Sequence, residues 1–430
     1  MHYKCIINQN SNQIMKKLVL LSMIAFGFTG NAQTTNAPPP VPEKEWDVSL
    51  YGFFRTDYIW DTRKSAQVRE YNLNLYPLDE SLDVNGDDIN DAGSSNFLSI
   101  VSRLGVKAKG PNVWGAKTTG TMEGDFFGNT ESTIGLLRLR HAYVNMDWSK
   151  TSLLMGQTWY PSFIPEVFPG VANFNTGILF NPFGWATQVR IKQNFTKELS
   201  FALTAYKERE FTTAMAATGT QNSAATNAVL PSFHGQFQYK HKNIIAGIGA
   251  EFKSLQPLTV SNNIVTTEKV NSTSFLAYFK YADDTFSVKA YGITGGNLYN
   301  MVMLGGFAGY TTPGEVEKYE PIKTTAYWID IAGTGKKIAP GLFFGYTKND
   351  GTGKDGATAL YARGVSGTRG VENTWRSSVR VDFKQNKFRV TPELEYTAAT
   401  WGDITSSGSI DGNQKDVSNF RAMVSCAYSF

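Results

Sequence analysis

Charged side chains make up only 18% of this 430-residue chain, yet they recur at every second position of otherwise apolar segments. Along 48–60, Arg55 and Asp57 share a face with Ser49 and Tyr51, while Val48, Leu50, Gly52, Phe54, Tyr58 and Trp60 take the other. Along 98–109, Arg103, Lys107 and Lys109 alternate with Leu98, Ile100, Leu104, Val106 and Ala108. Arg376, Arg380, Asp382 and Lys384 oppose Trp375, Val379, Val381 and Phe383, and Arg389, Glu393 and Glu395 oppose Val390, Leu394 and Tyr396. Charges arranged this way do electrostatic work. They pair across neighbouring strands, and those left unpaired set a field in whatever space the face encloses. Further candidates for the same face are Arg190, Lys192, Lys289 and Arg421 among bases, and Glu123, Asp125 and Glu251 among acids. The bases hold a small majority. Arg138 and Arg140 fit less simply, because they share a parity with Ala142, Val144 and Met146. Either a bulge resets the phase there or those apolar residues face inward.

Bond-making chemistry finds little support. Of the four histidines, His2 and His241 fall in a leader and a turn, which leaves His141 and His234. No Gly-x-Ser-x-Gly turn, P-loop, dinucleotide fingerprint, CxxC or HExxH occurs, so the chain is read as non-enzymatic. One segment has a metal-like pattern: Asp83, Asn85 and Asp87 alternate oxygen ligands that could converge on Ca²⁺. The position of the usual loop glycine is Asp88, and Ser94 stands where a bidentate Glu belongs. A solvated acidic loop is the plainer alternative.

The elements that must carry these residues are strands. Alternation in runs of about ten residues is the signature of a membrane β-barrel. Short polar turns at 110–112, 148–150, 194–197, 240–243, 282–284, 333–336 and 384–387 alternate with long loops near 61–95, 160–184, 208–230, 254–269, 297–318, 348–372 and 402–417, with a shorter one near 129–134. That rhythm puts one class of connection at each end of a closed cylinder, whereas a sandwich with crossovers has no reason to keep it. The count predicts an all-β, antiparallel transmembrane barrel of about 16 strands, with short periplasmic turns and long extracellular loops. Trp46, Trp148, Phe195, Tyr239, Tyr281, Phe286, Phe383 and Phe388 flank the short turns, where an interfacial girdle belongs. The last segment sets Phe420, Ala422, Val424, Tyr428 and Phe430 on one face and must pair with the first strand, because an open edge is costly in hydrocarbon.

The N-terminal region is expected to be an export signal over 1–32, with a possible upstream extension over 1–14. Lys16 and Lys17 precede a short apolar stretch that ends in Gly30-Asn31-Ala32. A Pro-rich periplasmic leader over 33–45 follows, and 46–430 is read as one barrel domain. Removing 1–32 takes Lys4, Lys16 and Lys17 and no acid, leaving 38 bases against 37 acids. Such a balance gives no reason to expect nucleic acid as a partner. Cys426 is then the only cysteine, so no intrachain disulfide is expected. The expected location is the bacterial outer membrane, with its lipid as the surrounding partner.

Four motifs occur in order over roughly 96–192: Ser102-Arg103-Leu104-Gly105-Val106-Lys107, Glu123-Gly124-Asp125-Phe126-Phe127-Gly128, Leu137-Arg138-Leu139-Arg140-His141-Ala142-Tyr143 and Gly156-Gln157-Thr158-Trp159. In their order and spacing they resemble the DcaP-like family of outer-membrane porins. The family's next segment is altered here and reads Gly184-Trp185-Ala186-Thr187-Gln188-Val189-Arg190. The resemblance implies a sixteen-stranded, trimeric channel for small, preferentially anionic solutes. It adds Gln157 and Gln188 to the expected pore lining of Arg55, Asp57, Arg103, Lys107, Glu123, Asp125, Arg138, Arg140, Arg190, Lys192 and Arg380.

In porin-type channels a long loop after the fifth strand folds inward. By the strand count this is 160–184, stiffened by Pro161, Pro165, Pro169 and Pro182 and rich in Phe163, Phe168 and Phe174, with Glu166 its only charge. An apolar loop of this length is costly in bulk water, so a constriction formed by Phe163, Glu166, Phe168 and Phe174 is expected. The reading is a passive porin for small hydrophilic, anionic solutes. The alternative is a plugged surface barrel whose outer loops bind a partner.

Overall fold

The computed structural model describes residues 46–174, 176–216 and 223–430. The signal peptide over 1–32 and the Pro-rich leader over 33–45 lie outside them. Sixteen antiparallel strands form one closed barrel. The first eight are β1 (Asp47–Asp61), β2 (two pieces, Ser94–Leu98 and Arg103–Lys109), β3 (Lys117–Asp125), β4 (Arg138–Asp147), β5 (Thr151–Trp159), β6 (Trp185–Asn194), β7 (Leu199–Glu208) and β8 (Ser232–His241). The second eight are β9 (Ile244–Leu255), β10 (Val270–Ala282), β11 (Phe286–Gly296), β12 (Lys318–Gly333), β13 (Ile338–Gly351), β14 (Arg369–Gln385), β15 (Phe388–Asp403) and β16 (Lys415–Ser429). Each strand pairs with its sequence neighbours. β16 then pairs with β1 from Phe53 opposite Ser429 to Asp61 opposite Arg421, which leaves no edge unpaired in the hydrocarbon.

Binary patterning explains why the sheet closes with this side outward. Leu50, Phe54, Phe97, Leu104, Phe275, Leu342, Val379, Leu394 and Tyr428 are exposed on the outer surface, and Trp46, Phe195, Tyr239, Phe286, Phe383 and Phe388 are exposed beside the short turns. Apolar surface this extensive is stable only against lipid, and the chain is a barrel of the bacterial outer membrane. No helix among the described residues is long and apolar enough to cross a membrane.

Two departures from simple alternation trace to local breaks, one overturning the expected facing of Leu98 and one deciding between the two alternatives left open for Arg138 and Arg140. Leu98 and Ile100 were expected on the outer face with Leu104, but Leu98 is buried inside with Ile59, and Phe97 takes the outer position. The ladder of β1 passes from β2's first piece to its second around 99–102, and that break shifts the phase. The second break concerns Arg138 and Arg140. The β3–β4 ladder places Glu123 opposite His141 but Gly124 opposite Leu139, so Arg140 is an extra residue. A bulge therefore brings Arg138, Arg140 and His141 inward together while Val144 faces out.

Three segments fold into the barrel from the extracellular side. One is the ribbon made by Ser65–Val68 and Leu73–Pro77. The second is the 160–184 loop, and the third is 298–304. Their apolar side chains meet in the lumen. Tyr160, Ile164, Val167 and Phe180 pack with Leu298, Met301 and Met303 against Tyr278, Tyr291, Trp328 and Phe343 of the wall. Leu73, Leu75, Phe174, Leu179, Phe183, Val302 and Leu304 join in a second cluster with Trp185, Val371 and Trp401. The hydrophobic core of this protein thus sits inside the upper barrel.

Candidate functional site: the barrel lumen

The inward face divides into two zones by what neutralises its charges. In the upper zone the expected pore-lining groups are buried in ion pairs. Arg55 Nε donates to Asp57 at 2.8 Å, and its Nη2 donates to the Ala172 carbonyl of the inward loop. Arg138 Nε donates to Asp125 at 2.7 Å and also pairs with Glu210. Arg140 spans Glu123 (2.8 Å) and Asp125 (3.0 Å), and Arg103 reaches Glu123 at 3.4 Å. Arg376 pairs with Glu395 at 3.3 Å and Arg421 with Asp61 at 2.8 Å, while Arg380 pairs with Asp330 at 2.9 Å lower down, where Asp330 is level with Lys289. Of the two roles expected for these charges, pairing across the wall and setting a field in the lumen, the upper ones take the first. Most charges at this height are buried, and each arginine is held by a partner on its own strand, as Asp57 is for Arg55, on the adjoining strand, or, for Arg380, on the next but one. Arg138 and Arg140 also lie over the Trp185 ring, at 4.8 and 4.4 Å.

Gln157, expected in the pore lining, is a correction. It sits opposite Ala142 and Thr187, in phase with outward-facing Met155 and Val189. Its amide donates to the Leu139 and Arg140 carbonyls, at the bulge, so it serves the distorted backbone and not the pore. Gln188 does face inward. It is buried, and its Nε2 donates to the Trp159 carbonyl at 2.8 Å while its Oε1 accepts from Arg190.

The 160–184 loop crosses the lumen and docks on the far wall. The Ala172 and Asn173 N–H groups donate to Glu393, Gly170 N–H to Asp330, and Arg376 donates to the Ile178 carbonyl. Trp328 Nε1 donates to Asn181, and Tyr291 Oη to the Ser162 carbonyl. Phe163 stacks on Trp159 at 4.1 Å, and Phe174 packs on Phe127 at 4.9 Å. Phe168 stays partly exposed with Lys289 over its ring at 5.7 Å. Glu166 accepts from Lys240 and from Gln238, both at 2.9 Å.

The lower zone, toward the short turns, is wet and basic. Lys107 lies over the Tyr51 ring at 4.9 Å. Arg190 donates to Gln188, and Lys289 donates to the Phe168 carbonyl. Among the described residues, Lys107, Arg190, Lys192, Lys280, Lys289 and Arg389 have no carboxylate partner within 4.0 Å. Three cavities open here: one of about 280 Å³ between the loop and β6–β8, one of about 380 Å³ beside Lys240, Lys280 and Lys289, and one of about 410 Å³ beside Lys336, Lys384, Lys387 and Arg389.

The Asp83, Asn85 and Asp87 segment does not assemble a cation cage. Asp83 Oδ1 accepts the backbone N–H groups of Asn85 and Asp87, which hold its carboxyl below the usual carboxylate range. Among the described residues no group of three or more His, Cys, Asp or Glu is arranged to hold a metal ion.

Periodicity alone missed the inward ribbon and the 298–304 segment. Their signal was apolar residues inside supposed surface loops, such as Leu73, Leu75, Met301, Val302, Met303 and Leu304.

No protein-family model matches the chain, and no curated protein matches it. Solved structures do. The outer-membrane channel DcaP of Acinetobacter baumannii aligns with a TM-score of 0.63 and 18% identity, covering 90% of this chain and 97% of that one. An anion-selective porin from Comamonas acidovorans aligns at 0.54 and 12% identity, over 90% and 100% of the two chains. The outer-membrane OmpT of Vibrio cholerae aligns at 0.52 and 13% identity, over 91% and 99%. At these identities the likeness establishes the fold, and the fold is the sixteen-stranded barrel of outer-membrane porins.

Proposed function

We propose that this barrel is a narrow, passive porin for small hydrophilic solutes and that it favours anions. One observation carries the reading: upper-zone charges cancel in pairs, whereas the water-accessible lower zone keeps Lys107, Arg190, Lys192, Lys280 and Arg389 without acidic partners. A lumen with uncompensated cations concentrates anions and repels cations. The inward 160–184 loop is the constriction, with Phe163, Glu166, Phe168 and Phe174 on it. One solved OmpT is described as a trimer, and a homotrimer is proposed here also. No catalytic role is assigned: His141 bonds Thr158 and His234 faces Gln236, both within the wall.

A second reading is favoured by the packed core in the upper lumen. If that core stays closed, the barrel is plugged and its outer loops serve partner binding. Planar-bilayer recordings decide. Stepwise conductance, with a reversal potential in a KCl gradient shifted toward chloride, supports the porin. Silent insertion supports the plug, and a potassium-selective channel refutes the anion preference.

A further inference from the structure

The cavity between the loop and β6–β8 has two chemically different sides. The loop side is apolar, built from Pro161, Phe163, Ile164 and Pro165. The wall side is polar and carries two cations, Arg190 and Lys192, neither with a carboxylate partner among the described residues. Strand register fixes their heights. Arg190 is level with Thr204 and His234, Lys192 with Ala202 and Gln236, and Gln238 lies lower, level with Ser200. From His234 to Gln238 is four residues, or about 13 Å along the wall at strand rise. Glu166 closes that lower end, where it accepts from Gln238 and satisfies Lys240. The upper end offers two cations in no ion pair among the described residues, Arg190 and, nearer to Glu166, Lys192. The lower end offers a cation already neutralised by the loop's own carboxylate.

A ligand that uses all of this has one anionic group near Arg190 and Lys192 and an apolar body lying against Pro165 and the edges of Phe163 and Ile164 that reach the cavity. A bare small anion gains nothing from the loop side, since apolar burial contributes only where apolar area exists. A dianion finds its second carboxylate directed at Glu166. We propose that this cavity is a binding station for small organic monoanions with a flat apolar body, of the benzoate kind. The inference deepens the porin reading and rests on it only in requiring that solutes reach the lower lumen. Glu166 is then a specificity-determining residue: a tethered carboxylate that occupies the second anion position.

Binding can be tested without conduction. Fluorine NMR of para-fluorobenzoate with the purified full chain in detergent should show a broadened line, which benzoate sharpens by competition and equimolar acetate does not. Replacing both cations (Arg190→Gln with Lys192→Gln) should weaken binding about tenfold or more, the worth of a charge-assisted contact. Glu166→Gln frees Lys240, so terephthalate should compete better against that variant than against the parent chain, while benzoate changes little. Retained heat-modifiable gel mobility shows that each variant is folded. Acetate competing as well as benzoate, unchanged binding in the folded double variant, or no gain for terephthalate overturns the proposal. A chain that binds fluorobenzoate but is silent in bilayers keeps this inference and sinks the porin. A conducting chain with a sharp fluorine line does the reverse.

Discussion

Replacing Phe180 by Ala tests what holds the inward loop in place. Phe180 is fully buried and packs on Phe343, with ring centroids 6.1 Å apart and the Arg376 guanidinium 5.5 Å from its ring. Its seat on the wall is Gly345, where a Cβ would come within 2.5 Å of the ring. Removing a buried phenylalanine costs about 3–5 kcal/mol, and part of that is the cavity left behind. The strongest polar tether, Glu393 to the Ala172 and Asn173 N–H groups, consists of two bonds worth about 1.5–3 kcal/mol each. Glu393→Gln keeps one oxygen and should forfeit only part of this. The order of effects is therefore Phe180→Ala at or above Glu393→Gln. A loss of about 3–5 kcal/mol raises the undocked population of that segment a hundredfold to a few thousandfold. In bilayer recordings the variant should show brief upward conductance steps and added open-channel noise. The expectation holds even if the parent barrel is silent, since transient release of the loop opens the lumen either way. A folded Phe180→Ala variant with parent-like mean current and noise, or one quieter than Glu393→Gln, refutes apolar docking of the loop.

Four further outcomes follow from the same geometry. Arg421→Met leaves the buried Asp61 with Asn419 as its remaining donor at the closing seam and should cost about 3–5 kcal/mol in urea unfolding from liposomes, with part of it restored by adding Asp61→Leu. Gly105→Ala should lose about 1–3 kcal/mol, because a Cβ there would meet the Tyr51 ring at 2.2 Å, and a smaller residue at 51 should relieve it in a double-mutant cycle. In the β10–β11 turn the Phe286 and Thr285 N–H groups hold the Asp283 carboxyl below its ordinary 3.8. Its folded value is depressed, so its stabilisation is present above 3.8 and fades as pH falls through the folded value; the gap between the parent and Asp283→Asn in a pH series of unfolding should be constant near neutrality and vanish in strong acid. Calcium titration calorimetry on the mature chain should give no saturable heat from the 83–87 loop, since Asp83 is already committed to its own backbone; a stoichiometric isotherm lost in Asp83→Asn would contradict that.

Much of the architecture was legible in one dimension because a barrel wall is a local code. Facing is set by parity, so Arg55, Asp57, Arg380, Glu393 and Phe430 could be placed from alternation alone. The closing pair of β1 and β16 followed from the cost of an open edge. Parity fails wherever an extra residue enters. The shift at 99–102 misplaced Leu98, and the bulge at Arg140 both brought two arginines inward and drew Gln157 to its carbonyls. A bulge leaves no compositional mark, because it depends on which partner strand the chain meets.

The sequence by itself determined the strand number, the lipid-facing side, the two classes of connection and the apolar loop at 160–184, since each depends on residue type and spacing along a single segment. The tertiary structure alone decided which charges matter. Arg140 and Arg190 look alike in the sequence, yet one is spent on Glu123 and Asp125 while the other faces an open cavity. Whether a charge is neutralised depends on what lies within a few ångströms of it, and those neighbours come from strands and loops far apart in the chain.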